Sequence, residues 1–147
     1  METVQTSQPI ELTSFLVGDL LCGLENSRIR EISNIRTLTP VHHAPPEVSG
    51  VVNLRGQIMT VIDMGIRFGR PKVDVTNQAR ILVVNDGKED VGLMVDAVED
   101  VVSASSEELE SPPSNVAGVS GHLFQSILKV KGDLISILDL DRILKSA

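Results

Sequence analysis

The chain has 147 residues, 41% hydrophobic, 22% charged and 2% aromatic; thirteen basic and twenty acidic side chains give a net charge of −7. This length and polarity make an ordinary globular chain and exclude a disordered tail, and the acidity disfavours nucleic acid and anionic membrane as partners. With three Phe and no Trp or Tyr, the core must be aliphatic, built from Val, Ile and Leu.

The N-terminal stretch METVQTSQPIEL has neither the basic head nor the apolar heart of a signal peptide. Residues 1–9 are expected to be flexible, with a single domain over 10–147. No apolar run approaches the roughly 18 residues of a membrane helix, so a cytoplasmic location is expected. Cys22 stands alone, which rules out an internal disulfide, and its apolar setting reads as core.

Residues 10–17 and 20–24 flank Gly18-Asp19, a two-residue hairpin signal. Apolar residues three apart, Ile29 and Ile32, then predict a short helix with Asn26 as its N-cap. A third strand is expected near 35–41. After His43-Ala44-Pro45-Pro46 come two strands broken at Arg55-Gly56, then a helical tail over 64–68 stopped by Gly69 and Pro71. Residues 79–84 and 90–95 flank the turn Asn85-Asp86-Gly87. Val95, Val98 and Val101 predict a second short helix capped by Asp96. After Ser111-Pro112-Pro113, two more strands break at Lys131-Gly132, and Asp139 caps a C-terminal helix over 140–145.

This order is written twice. Gly23-Leu24 to Glu31-Ile32 aligns with Gly92-Leu93 to Asp100-Val101. Val48-Ser49-Gly50-Val51 is read against Val116-Ala117-Gly118-Val119, Leu54-Arg55-Gly56 against Val130-Lys131-Gly132, and Val61-Ile62-Asp63-Met64 against Ile137-Leu138-Asp139-Leu140. The halves span about 12–69 and 79–145. Five short strands per half predict a mainly β protein of two small barrels. A barrel of some sixty residues is marginal alone, so the two are expected to share an aliphatic core.

No catalytic or metal-binding constellation can be assembled, and no cofactor is expected. His42 and His43 are adjacent and point apart in extended chain, and Cys22 and His122 lie far from them. Gly118-Val119-Ser120-Gly121 lacks the spacing and context of a nucleophile elbow, and Gly87-Lys88 lacks the glycine of a phosphate loop. What remains is surface for protein partners. Arg55 has two readings: a basic residue decorating a turn, as Lys131 does in the other half, or a guanidinium presented to a carboxylate, with Glu31 as internal holder or second contact.

GVVNLRGQIMTVIDMGIRFG resembles the signature of CheW-like coupling proteins. SRIREISN, VGLMVDAVEDVV and ISILDLDRIL are similar to three further segments of that family, in the same order, covering about 13–144. The resemblance implies two intertwined five-stranded barrels of the Src-homology type. It implies a non-enzymatic adaptor between the cytoplasmic tip of a methyl-accepting chemoreceptor and the regulatory domain of the histidine kinase CheA, monomeric alone and recruited to the inner face of the membrane within a receptor–kinase array. By the same resemblance Ile29, Glu31, Gly50 and Arg55 occupy receptor-contact positions; kinase-contact residues are not assigned. An adaptor of another chemosensory pathway, such as pilus-based motility, stays open. So does a small-ligand or hydrolytic protein using the inter-barrel seam through Ser120 or His122. Met64-Gly65 departs from the family's Leu-Arg and should weaken the helix after Asp63.

Overall fold

The computed structural model describes residues 9–145. The flexible lead-in expected over 1–9 therefore lies, but for Pro9, outside the described residues.

The chain begins with the hairpin β1 (Ile10–Val17) and β2 (Leu20–Glu25), followed by β3 (Ile29–Asn34). After a long connection come β4 (Val48–Leu54), β5 (Gln57–Asp63) and helix α1 (Met64–Arg67). The pattern then returns as β6 (Arg80–Asn85), β7 (Asp90–Val95) and β8 (Ala97–Ala104). Three two-residue strands follow, β9 (Leu109–Glu110), β10 (Asn115–Val116) and β11 (Val119–Ser120). The described chain closes with β12 (Phe124–Val130), β13 (Asp133–Leu138) and α2 (Leu140–Leu144).

Two sheets form the two barrels. One has the order β8-β1-β2-β13-β12-β9 and the other β3-β6-β7-β5-β4. Exchanging β1, β2, β3 with β6, β7, β8, and β4, β5 with β12, β13, turns the five-stranded order into the first five strands of the six-stranded one, with β9 added at its edge. Within this relation the third strand crosses over: β3 pairs with β6, and β8 pairs with β1. Each barrel therefore needs strands from both halves of the chain. Parallel pairing of β2 with β13 and of β5 with β7 makes the remaining cross-links.

This exchange overturns two local readings. The segments around Ile29 and around Val98 are strands, not helices. Apolar spacing of three competes there with inward alternation of Ile29, Glu31 and Ser33, and pairing with a remote strand decides the outcome. The supposed caps do other work. Asn26 accepts a hydrogen bond from Thr13 Oγ1 (2.7 Å), and the Asp96 carboxylate accepts from the Gly18 and Asp74 amides. The strand expected near 35–41 is reduced to one bridge, Thr39 to Val51. The alignment of 48–51 with 116–119 also fails: Val116 and Val119 belong to the separate β10–β11 hairpin. The true counterparts of Val48 and Gly50 are Phe124 and Ser126, flanking the same register shift in their own hairpin.

Strands buried on both faces explain the near-continuous apolar runs. In β5 and β6, Val61, Ile81 and Val83 fill one barrel, while Ile62, Leu82 and Val84 turn to a core shared by both. In β13, Ile135 and Ile137 fill the other barrel and Leu138 joins the shared core. Phe68 and Phe124 meet in that core, ring centroids 5.6 Å apart and tilted by 53°, a contact that adds about 0.5–1.5 kcal/mol beyond area burial.

Candidate protein-docking surface

The turn between β4 and β5 is built to project its side chain. Arg55 and Gly56 have φ of 54° and 82°, both positive, as the two central residues of a type I′ hairpin turn require. The Asn53 side chain accepts a hydrogen bond from the Gly56 amide (3.0 Å) and tightens the loop. An arginine in this region costs about 1–2 kcal/mol relative to ordinary backbone, so the position is strained by its own side chain. Lys131, at φ 45°, repeats the arrangement between β12 and β13.

The two tips then differ. Arg55 donates from both terminal nitrogens to Glu31 on β3: Nη1 to Oε1, and Nη2 to Oε2 at 3.0 Å. Since β3 and β4 are the two ends of their sheet's strand order, this fork bridges the outer strands of one barrel. The counterpart of Glu31 is Asp100, and Lys131 forms no ion pair with it or with any other described residue. The Arg55 side chain remains 75% exposed and that of Glu31 23%. The pair thus presents a guanidinium to solvent while holding its direction.

Apolar surface lies beside the turn. Ile58, 68% exposed, stands on β5 at the edge of a cavity of about 490 Å³ that also includes Leu54, Arg30 and Asp90. Arg30 and Asp90 pair at 3.3 Å. The tip, the apolar rim and this second ion pair make a mixed surface of the kind that docks proteins.

Ile29 and Gly50 sit differently. Ile29 is half-buried and packs against the shared core with Val98 and Leu144. Gly50, at φ 148°, is buried beneath the chain that crosses it, and a Cβ there would stand 2.5 Å from the Thr39 carbonyl oxygen. The structure thus joins Glu31 to Arg55, sets Ile29 two residues from Glu31 on the same strand, and keeps Gly50 as a seat for the Thr39 crossing.

Asp63, quoted only as part of a motif, is a further organising residue. Its buried carboxylate accepts from the Ile66 amide (3.1 Å) and from the Val73 amide (3.1 Å to each oxygen). It thereby caps α1 and fastens the irregular segment that follows at Val73. Gly65 is required where it stands, because a Cβ there would lie 2.2 Å from the Pro71 carbonyl oxygen, and the helix is a single turn of four residues.

The rings of His42 and His43, both exposed, lie together with centroids 5.7 Å apart and a tilt of 34°, whereas Cys22 is buried. Among the described residues no group of three or more His, Cys, Asp or Glu side chains is placed to hold a metal ion. Ser120 accepts from the His122 backbone amide (3.3 Å) and caps the short turn 121–123. No described helix is long and apolar enough to cross a membrane.

The family model described as a CheW-like domain matches residues 11–147. Over 136 residues the chain is 32% identical to chemotaxis protein CheW of Rhizobium meliloti (strain 1021), covering 92% of this chain and 88% of that protein. It is 24% identical over 139 residues to protein FrzA of Myxococcus xanthus, covering 93% and 86%. The crystal structure of scaffolding protein TtCheW from Thermoanaerobacter tengcongensis superposes with a TM-score of 0.87 at 27% identity, covering 99% of this chain and 94% of that one.

Proposed function

Since this chain belongs to the CheW-like domain family, we propose that it acts as a non-enzymatic chemotaxis adaptor that couples the cytoplasmic tip of a chemoreceptor to the regulatory domain of a CheA-type histidine kinase. It works in the cytoplasm, brought to the inner face of the membrane by the receptor. No bond is made or broken on it. Its task is to be held by two proteins at once, so that receptor state alters the placement of kinase parts. Such coupling needs a contact difference between states of about 1–3 kcal/mol.

The observation that carries this reading is the asymmetry of the two hairpin tips. Glu31 orients Arg55 toward solvent beside exposed Ile58, whereas the related Lys131 has no ion-pair partner among the described residues. A guanidinium fixed by one carboxylate has donors left for a second, and its planar fork discriminates geometry as an ammonium does not. In this reading Arg55 and Glu31 contact the receptor directly, Ile29 supports their strand from the core side, and Gly50 keeps the surface low where Thr39 crosses. The test is binding of a purified receptor cytoplasmic fragment to Arg55→Ala. Loss of binding by a folded variant supports the assignment; unchanged binding returns Arg55 to a solvated turn.

The likeness to FrzA favours one second reading, the same adaptor role in a chemosensory pathway other than the CheA-linked one. Binding of the chain to a CheA regulatory domain, compared with binding to the corresponding domain of a kinase from another chemosensory pathway, separates the two.

A further inference from the structure

Where α1 meets α2, a cavity of about 700 Å³ is lined by Arg67, Phe68, Ser120, His122, Arg142 and Lys145 among others, and, among the described residues, by no carboxylate side chain. In a chain with a net charge of −7 this is a local inversion. The cavity beside Arg30 and Lys88 includes Glu89 and Asp90, and the one beside Lys72 includes Asp63 and Asp74.

The basic groups come from three separate stretches of chain and keep donors in reserve. Arg67 donates through Nε to the Ile143 carbonyl (3.0 Å) and through Nη2 to the carbonyls of Arg142 (2.9 Å) and Lys145 (3.4 Å). These bonds close the C-terminal end of α2 and fix the guanidinium plane. Nη1 has no hydrogen-bond partner among the described residues. Arg142 donates through Nη1 to the His122 carbonyl (3.1 Å), and its Nε lies 3.5 Å from Asp139; its Nη2 is likewise unengaged. Lys145 also borders a groove containing Glu47, Asp86 and Glu89, yet pairs with none of them. Phe68 and Leu123, both buried, give the cavity an apolar floor.

The geometry points to a binding site for a phosphate group. Two guanidinium edges, an ammonium and the Ser120 hydroxyl surround one space. They match a dianion with three terminal oxygens better than a carboxylate, which has two oxygens and one charge. The prior fixing of Arg67 lowers the ordering cost of binding. The apolar floor suits an organic phosphate monoester; inorganic phosphate is the other source of the same chemistry. The site is independent of the docking surface at Arg55.

The test is titration of the full chain with inorganic phosphate, with phenyl phosphate and with sodium chloride at matched ionic strength, followed by amide chemical shifts at Gly69, His122 and Lys145. Saturable shifts with phosphate, absent with chloride, are expected, and Lys145→Gln or Arg142→Gln should weaken binding about tenfold. Tighter binding of phenyl phosphate identifies an organic monoester as the ligand, and equal binding identifies free phosphate. The proposal is overturned if chloride reproduces the shifts, or if both variants melt as the parent does and bind phosphate equally well.

Discussion

Glu31 and Arg55, twenty-four positions apart, share a two-point ion pair that ties β3 to the β4–β5 turn. Because Arg55 is mostly exposed, the pair adds little to folding, about 0–1 kcal/mol. Its value lies in aiming the guanidinium. Arg55→Ala is therefore expected to melt near the parent temperature yet lose about 2–5 kcal/mol of receptor binding where a partner carboxylate is left buried. Arg55→Gly sharpens the test, since glycine relieves the positive φ. It should be more stable than the parent and still bind poorly. Lys131→Ala should leave receptor binding unchanged. Isothermal titration with the receptor fragment, beside thermal melts, measures all three, and non-additivity in a cycle with Glu31→Ala reads the coupling of the pair.

Asp63 should matter for folding and not for docking. Asp63→Ala removes the acceptor of the Ile66 and Val73 amides in a buried setting, at an expected cost of about 2–3 kcal/mol. Asp139→Ala, which removes the cap of α2 from a more exposed site, should cost about 1 kcal/mol. Urea unfolding of the two variants gives the comparison.

Gly50→Ala places a methyl group against the Thr39 carbonyl at a backbone angle that L residues rarely adopt. The expected result is destabilisation of about 1–3 kcal/mol. Amide exchange should quicken selectively at Thr39 and Val51, whose mutual hydrogen bonds of 2.9 and 2.8 Å form the crossing.

Burial pushes the Cys22 thiol well above its ordinary range, with desolvation far outweighing the pull of Arg70. The folded protein keeps its proton after the unfolded thiol has lost it. This favourable difference in proton affinity is fully present at neutral pH, and stability falls as pH rises past about 8.5. Iodoacetamide should leave the native protein unmodified at pH 8 and label it along the urea unfolding curve. Rapid labelling without denaturant would contradict the burial.

Turn chemistry is local, so the hairpins at Gly18-Asp19, Asn85-Asp86-Gly87, Arg55-Gly56 and Lys131-Gly132 could be read directly from residue types. The doubled aliphatic runs likewise announced strands covered on both faces. What local pattern could not carry was the exchange of β3 and β8, because the partners that make them strands lie some fifty to ninety residues away. The same limit hid the contacts at the docking surface. Glu31 and Arg55 were both legible as polar residues in motifs, but their meeting depends on closure of a barrel. The basic cavity was less visible still, since Arg67, His122 and Arg142 come together only when the two short helices do.

The proposed adaptor role requires this chain to be held by two partners at once. Sedimentation velocity on an equimolar mixture of the chain, a receptor cytoplasmic fragment and a CheA regulatory domain tests it most directly. One faster species containing all three is expected, reduced to the chain–kinase pair by Arg55→Ala. Two binary complexes that exclude each other, or no association with either partner, would contradict it.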